Sequence, residues 1–440
     1  MKVSAKCPVG GALALVLRMS RFVGVAPVIL TQNGIRLSRP LTFYSYFVVT
    51  AISGVILSGF ALDLLTEPKR SLRVRTPTSR MIWVANLSIV ILITSVAAYR
   101  APARFLCIIN CLKQIQKIKI FINGENNIDL FEKLKTVMII STLVGLGFLV
   151  FFDIYGYVTE ALTHGREVRT LFLYSFLYYE YFIVLLVELQ FILIAQKLLS
   201  ALRLVNDALQ QLMVSFKTQR NNYYNRFRNE FTSYDNYALK ESSTVPNKVI
   251  NYVVDSLTVK EKLDDKKYFR SDNRTVRDLS NAYTGICDIL RRIDDSHGFL
   301  LLLILISFFM QLIITPYYLI TTLYTSMNQI NYILLQISWC MYHIISMLMV
   351  VEPCYQTQKE MDRTQMLVLY LLRYISSTDP MFVDVDIFCK QLYLDRPSYT
   401  PLGMCTISRP LTVTIIGAVM TYLVIIFQLR SYESNSKDQL

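Results

Sequence analysis

The chain is poor in the residues from which catalytic and metal centres are usually assembled. Its 440 residues hold three histidines, and no Cys-X-X-Cys, His-Glu-X-X-His or glycine-rich phosphate loop occurs among them. Without those spacings there is no zinc site or nucleotide cradle to argue from. The sequence therefore predicts no enzyme, with no catalytic residue, no bound metal and no cofactor. Charge is scarce as well: Asp, Glu, Lys and Arg make up 18% of the chain against 53% hydrophobic residues, and the mean hydropathy is +0.39. An ordinary soluble domain carries about a quarter charged residues, so this balance excludes that class and indicates a polytopic membrane protein. Among the charges that remain, 45 Lys+Arg exceed 32 Asp+Glu, for a net +13. The basic residues sit in connecting segments, where positive-inside bias and anionic lipid account for them, so no nucleic-acid partner is expected. A cleavable leader is not apparent either: the apolar run from Val9 to Leu17 follows Lys2 and Lys6 but is short and closed by Arg18, and the N-terminal segment is expected to be retained.

What the chain has instead is long apolar runs, each of about the twenty residues that a helix needs to cross a hydrocarbon core of roughly 30 Å. A basic segment, residues 1–40, precedes a first span from Leu41 to Leu65, in which Gly54, Ser58 and Gly59 invite close helix packing. The second span runs from Met81 to Ala101 and leads into an amphipathic piece from Phe105 to Lys119, suited to a helix extension or a membrane surface. The third covers Thr136 to Tyr157 and the fourth Leu171 to Leu199, closing a first membrane block over residues 41–199. Residues 200–298 are too long and too charged to cross, with helical periodicity at Ala201 to Phe216 and Thr275 to Arg292, and loop or disorder from Asn221 to Ser271. Two more spans, Phe299 to Leu323 with a kink expected at Pro316 and Tyr332 to Val351 stopped at Glu352-Pro353, lie within 299–352. Further amphipathic helix occupies 353–407, and a last span, 408–430, leaves a short tail, 431–440. The predicted fold class is all-α, a polytopic membrane protein of seven transmembrane helices with long cytosolic helix extensions.

Charge sets the expected orientation. With the N-terminus inside, the N-terminal segment, the second connection and the sixth (Lys359, Arg363, Arg373, Lys390, Arg396) are cytosolic and basic, whereas the third loop has only Arg166 and Arg169 and the fifth has no basic residue. The first loop, with Lys69, Arg70, Arg73 and Arg75, runs against the rule. On this reading the N-terminus is cytosolic and the C-terminus extracellular. Seven of the eight cysteines then fall on the cytosolic side and Cys340 within a span, so no disulfide is expected. The glycosylation-type matches at Asn86 and Asn273 lie in a span and in the cytosolic connection. The rival seven-helix class, G-protein-coupled receptors, has its N-terminus outside, and neither Asp-Arg-Tyr nor Asn-Pro-X-X-Tyr is present. A secondary transporter should show inverted repeats, and none is found.

In the last span Thr421, Val424, Ile425 and Gln428 recur at helical spacing. One face would line a pore with apolar side chains and close it near a ring of amides, which need a partner in hydrocarbon. The stretch Thr421-Tyr422, five apolar residues, Gln428-Leu429 resembles the signature that ends the last helix of insect gustatory receptors, with Leu429 where that family usually has Phe. Met347 to Cys354, Gln391-Leu392, Gly403 to Cys405 and Asp295-Ser-His297 resemble its fructose-receptor or sugar-receptor branch. The resemblance implies a tetrameric, ligand-gated nonselective cation channel of the plasma membrane of sensory dendrites, alone or as a heteromer with related subunits. Its last helices, with Thr421, Tyr422, Val424, Ile425, Gln428 and Leu429, would line the pore.

Polar and aromatic side chains gather in the outer halves of the other spans. Trp83 and Asn86 lie in the second, Asp153 in the third, Tyr174, Tyr178, Tyr179 and Glu180 in the fourth, Thr315, Tyr318 and Thr322 in the fifth, and Gln336, Trp339 and His343 in the sixth. Amides and carboxylates to satisfy hydroxyls, with aromatic faces to cover a ring, are what a small polyhydroxylated ligand requires. Gln336 and Trp339 share one helical face, and the resemblance places that pair in a sugar pocket. The expected binding set is Gln336, Trp339, Trp83, Asn86, Asp153, Tyr178, Glu180, Tyr318 and Thr322. Asn86 is equally read as interhelical glue, the tyrosines as an interfacial belt, and Asp153 and Glu180 as partners of basic groups or as aids to cation passage. Partners implied are a small tastant, a sugar or polyol first and a bitter plant compound second, together with cations and the lipid bilayer. A metabotropic seven-helix receptor is the remaining alternative.

Overall fold

The computed structural model describes residues 10–31, 34–65, 77–122, 128–163, 168–238, 248–325, 330–375 and 379–437, with side chains described over a narrower set. Helix dominates. In order the elements are α1 (Gly11–Phe22), a hairpin of β1 (Val28–Thr31) and β2 (Gly34–Leu37), α2 (Arg39–Leu65), α3 (Pro77–Tyr99), α4 (Ala101–Phe121), α5 (Ile128–Thr163) and α6 (Val168–Ala238). They continue as α7 (Lys248–Thr325), α8 (Ile330–Tyr374), α9 (Pro380–Leu394), a 3-10 turn (Pro401–Gly403) and α10 (Arg409–Lys437). Within the segment read as loop or disorder, residues 239–247 lie outside the described set and their neighbours belong to α6 and α7.

Six of these helices are long and apolar enough to cross a membrane, and α10 contributes a shorter apolar stretch, Arg409–Ile425. Burial sorts them. The apolar window of α6 is 83% buried and that of α7 72%, against 28% for α2 and 17% for α5. Thus α6 and α7 form the interior, and α2 and α5 keep most of their apolar surface outward, as lipid-facing helices do. Phe43, Phe47, Phe148, Phe151 and Phe152 are exposed accordingly.

The N-terminal segment is built into the bundle. Ala12, Leu13, Val16 and Leu17 of α1 are buried, and Gln190 Nε2 of α6 donates to Ser20 Oγ at 2.7 Å. Gly24, at φ +80°, turns the chain after α1, and the amides of Val25 and Ala26 both donate to Ser20 O (2.8 and 3.1 Å). A left-handed residue just past a helix end is where glycine is favoured.

The expected stop at Glu352-Pro353 is not observed. Helix α8 runs through Pro353 to Tyr374. Proline costs one backbone hydrogen bond, but Cys354, Met361 and Leu371 beyond it are buried, and that packing outweighs the break. Beyond the spans, α6 and α8 are locked by Asn206, whose Nδ2 donates to Glu360 O (2.8 Å) and Glu360 Oε2 (2.9 Å), while Thr364 Oγ1 donates to Asn206 Oδ1 (2.6 Å). At the base of α7, Asp294 accepts from Thr400 N (3.0 Å) and Thr400 Oγ1 (3.2 Å).

The α2–α6 contact depends on Gly59, where an added Cβ would lie 2.6 Å from Leu173 Cβ. Gly59→Val is therefore expected to lower the melting temperature of the detergent-solubilised protein, at a cost of about 1–3 kcal/mol. Gly54→Ala, on the same helix with nothing within 4 Å, should be neutral or gain up to about 1 kcal/mol. Equal melting temperatures for the two variants would refute the close-packing assignment.

Candidate ligand-binding cavity

One cavity opens between α3, α5, α6, α7 and α8, with about 540 Å³ of unfilled space including its mouth. It is lined by Trp83, Asn86, Asp153, Tyr178, Tyr318, Gln336 and Trp339 of the sequence-derived set, together with Thr315 and His343. Tyr157, Tyr181, Gln311, Ile314 and Tyr332 complete the wall. Two candidates fall elsewhere: Glu180, which accepts from Ser53 Oγ at 2.7 Å, is not among the lining residues, and the side chain of Thr322 lies outside the described residues.

The floor is a closed amide network. Gln311 Nε2 donates to Asn86 Oδ1 (2.6 Å) and lies 3.1 Å from Tyr181 OH, while Asn86 Nδ2 donates to Tyr181 OH (2.8 Å). Asn86 thus ties α3 to α6 and α7, the structural role weighed for it above. Gln311 could have been found from sequence, since it stands one turn before Thr315 and two before Tyr318 on one helical face. Tyr181 was hidden in a run of tyrosines where spacing alone does not say which ring points inward.

Aromatic rings make the walls. Trp83 lies 6.5 Å from Tyr318, Tyr181 6.3 Å from Trp339 and 6.4 Å from Tyr178, and His343 stacks on Trp339 at 5.7 Å. Tyr178 OH donates to Asp153 Oδ2, holding the carboxylate at the wall. Tyr174 donates instead to Asp63 Oδ2 at 3.0 Å, and Tyr179 to Val23 O at 3.1 Å, so these two serve helix packing. Gln336 is 7% exposed and makes no side-chain hydrogen bond among the described residues. Its side chain borders the cavity.

On α10, Thr421, Tyr422, Val424, Ile425 and Gln428 are exposed on the single chain, while Val419 and Leu423 are buried. The side chain of Leu429 lies outside the described residues. Tyr422 meets Phe309 of α7 edge-to-face at 5.7 Å, two residues along α7 from Gln311 on the cavity floor.

An internal polar cavity within a bundle of membrane-crossing helices defines a multi-pass helical membrane protein. Residues 13–433 match the 7tm Chemosensory receptor family, and the chain belongs to that family. It is a chemosensory receptor of the plasma membrane, not an enzyme. Over 169 residues it is 26% identical to the "Gustatory receptor for sugar taste 43a" of Drosophila melanogaster. That match covers 38% of this chain and 39% of the relative, so it spans well under half the length of either. The solved structure of the insect olfactory receptor OR5 from Machilis hrabei shares the fold, with TM-score 0.58 at 10% identity over 95% of this chain and 97% of that one. The same receptor in complex with eugenol gives TM-score 0.55 at 10% identity, with the same coverage.

Asn86→Ala leaves the Gln311 amide and Tyr181 hydroxyl short of a partner and should cost about 0.6–2 kcal/mol of stability. Gln336→Ala removes a side chain with no hydrogen bond among the described residues and should lower the melting temperature less. The reverse order would show that Gln336, not Asn86, ties the helices.

Proposed function

We propose that the chain is the subunit of a ligand-gated, nonselective cation channel opened by a small polyhydroxylated tastant, a sugar or polyol. The observation that carries this reading is the Gln336 side chain, which makes no hydrogen bond among the described residues, beside Trp339 and Asp153 in one aromatic-walled cavity. Such a wall offers hydrogen bonds to hydroxyls and flat faces to the apolar side of a sugar ring. The Drosophila relative's name, a receptor for sugar taste, supports the same ligand class. Four copies around one axis, N-termini inside, would set the exposed Thr421, Val424, Ile425 and Gln428 face of α10 on a common pore.

Ligand bound more tightly to the open form would shift the population toward it. The path from cavity to pore runs along α7 from Gln311 to Phe309 and across the ring contact to Tyr422. At the opposite end of α10, Arg409 donates to Glu352 Oε2 (3.1 Å) and Oε1 (2.8 Å), tethering the helix base to α8.

Whole-cell recording from cells expressing this chain, challenged with sugars, polyols and bitter compounds, tests the reading. A cation current to sugars or polyols is expected; current to bitter compounds alone, or a response without ionic current, would overturn it. Gln336→Ala and Trp339→Ala should raise the half-activating concentration about tenfold or more, a loss of roughly 1.4 kcal/mol each, with unitary conductance unchanged. Gln428→Ala should change conductance or ion selectivity with assembly intact on a native gel. Arg409→Gln breaks a half-exposed pair worth up to about 1 kcal/mol, so it should move the half-activating concentration by no more than about fivefold.

A further inference from the structure

Away from the cavity, the Arg104 guanidinium is buried with no counter-charge among the described residues. Arg104, in the first turn of α4, is 3% exposed, and its Nε, Nη1 and Nη2 are all buried with no hydrogen-bond partner among the described residues. No carboxylate pairs with it among those residues; its neighbour is the Phe105 ring, whose centroid lies 5.5 Å from the guanidinium carbon. Burial lowers its pKa to about 10, which leaves the group charged at neutral pH. An uncompensated guanidinium in a dry interior is strongly unfavourable, and proteins retain one where something supplies the opposite charge.

His297 of α7 is the second orphan. It is 2% exposed, its Nδ1 lies 3.2 Å from Ile293 O, and its Nε2 is buried with no partner. A carbonyl only accepts, so Nδ1 carries the proton and a neutral ring presents Nε2 as a bare acceptor. Cys107, one turn after Arg104, contacts Arg292 O at 3.4 Å, which lays this face of α4 along the α7 segment ending at His297. Burial first, and then the charge of Arg104, lowers the His297 pKa to about 3, so the ring is neutral. Phe191 closes the far side, 6.0 Å from the His297 ring and 5.7 Å from that of Tyr399.

We propose that Arg104 and His297 are the two ends of an enclosed anion site, where α4 meets the base of α7, which takes phosphate or a phosphate monoester. A guanidinium fork suits two oxygens of an oxyanion, and the Nε2 lone pair asks for a donor. A P–OH group beside P–O⁻ supplies both. Sulfate at neutral pH and halides offer charge without the donor. Inorganic phosphate and the headgroup of phosphatidic acid share the required chemistry.

The test is thermal unfolding of the full chain, purified in phosphate-free detergent buffer at fixed ionic strength. Inorganic phosphate is compared with sulfate, and dioctanoyl phosphatidic acid with dioctanoyl phosphatidylcholine. A melting temperature raised by phosphate above sulfate identifies a free anion as ligand, and one raised only by phosphatidic acid identifies a lipid headgroup; either supports the site. In both cases Arg104→Met should abolish the increment, and Arg104→Lys, which keeps the charge but loses the fork, should reduce it. No increment over the control ligand in either arm overturns the site. So does an undiminished increment in Arg104→Met or, where that variant does not fold, in Arg104→Lys.

Discussion

Polar groups inside an apolar bundle must find partners within the protein, and one helix meets that demand for nearly all its neighbours. Within two to three turns α6 offers Tyr174 to Asp63 of α2, Tyr178 to Asp153 of α5, Glu180 to Ser53 of α2 and Tyr181 to Asn86 of α3. Further along, Gln190 holds Ser20 of α1. Water cannot stand in for these bonds in hydrocarbon, so each fixes the rotation of one neighbour about its own axis. The central position of α6 and its deep burial follow from that role.

The same bonds leave a space. Because Tyr178 and Tyr181 turn toward Asp153 and the Asn86–Gln311 pair, their rings stand as walls, and α8 brings Trp339, His343 and Gln336 to face them. Asn86 of α3, Tyr181 of α6 and Gln311 of α7 bond one another, and Tyr178 of α6 bonds Asp153 of α5, whereas Gln336 on α8 makes no side-chain hydrogen bond among the described residues. A cavity bordered in this way is held in shape by its own hydrogen bonds. The ring contact between α7 and α10, Phe309 with Tyr422, is apolar.

Outside the spans the logic changes, since side chains there can use water. The α6–α8 clasp around Asn206, Glu360 and Thr364 and the Asp294–Thr400 bond join helix extensions to the turn at Pro401–Gly403, where Leu402 takes φ +52° and an added Cβ on Gly298 would lie 3.3 Å from Leu402 N. This packed base holds the start of α10 at a set distance from α7 and α8.

Apolar runs of spanning length, bounded by charge, were enough to place the helices, because a bilayer imposes one length and one secondary structure on whatever crosses it. The same reasoning located Trp83, Asn86, Asp153, Tyr318, Gln336 and Trp339 as polar or aromatic residues at one depth, since depth is a linear coordinate along each span. Rotation is not linear: whether Tyr174, Tyr178, Tyr179 or Tyr181 faces inward depends on neighbours far away in the chain, and while Tyr178 stood in the expected set, only the folded bundle added Tyr181 to the cavity. For the same reason Glu180 went to Ser53, away from the cavity. Local rules also placed a helix stop at Glu352-Pro353 that α8 does not make, because Pro353 ends a helix only where packing beyond it is weak. Composition and hydropathy thus determined the class and the number of crossings; the angular pairing of helices, set by which buried polar groups reach one another, decided where the cavity lies and what lines it.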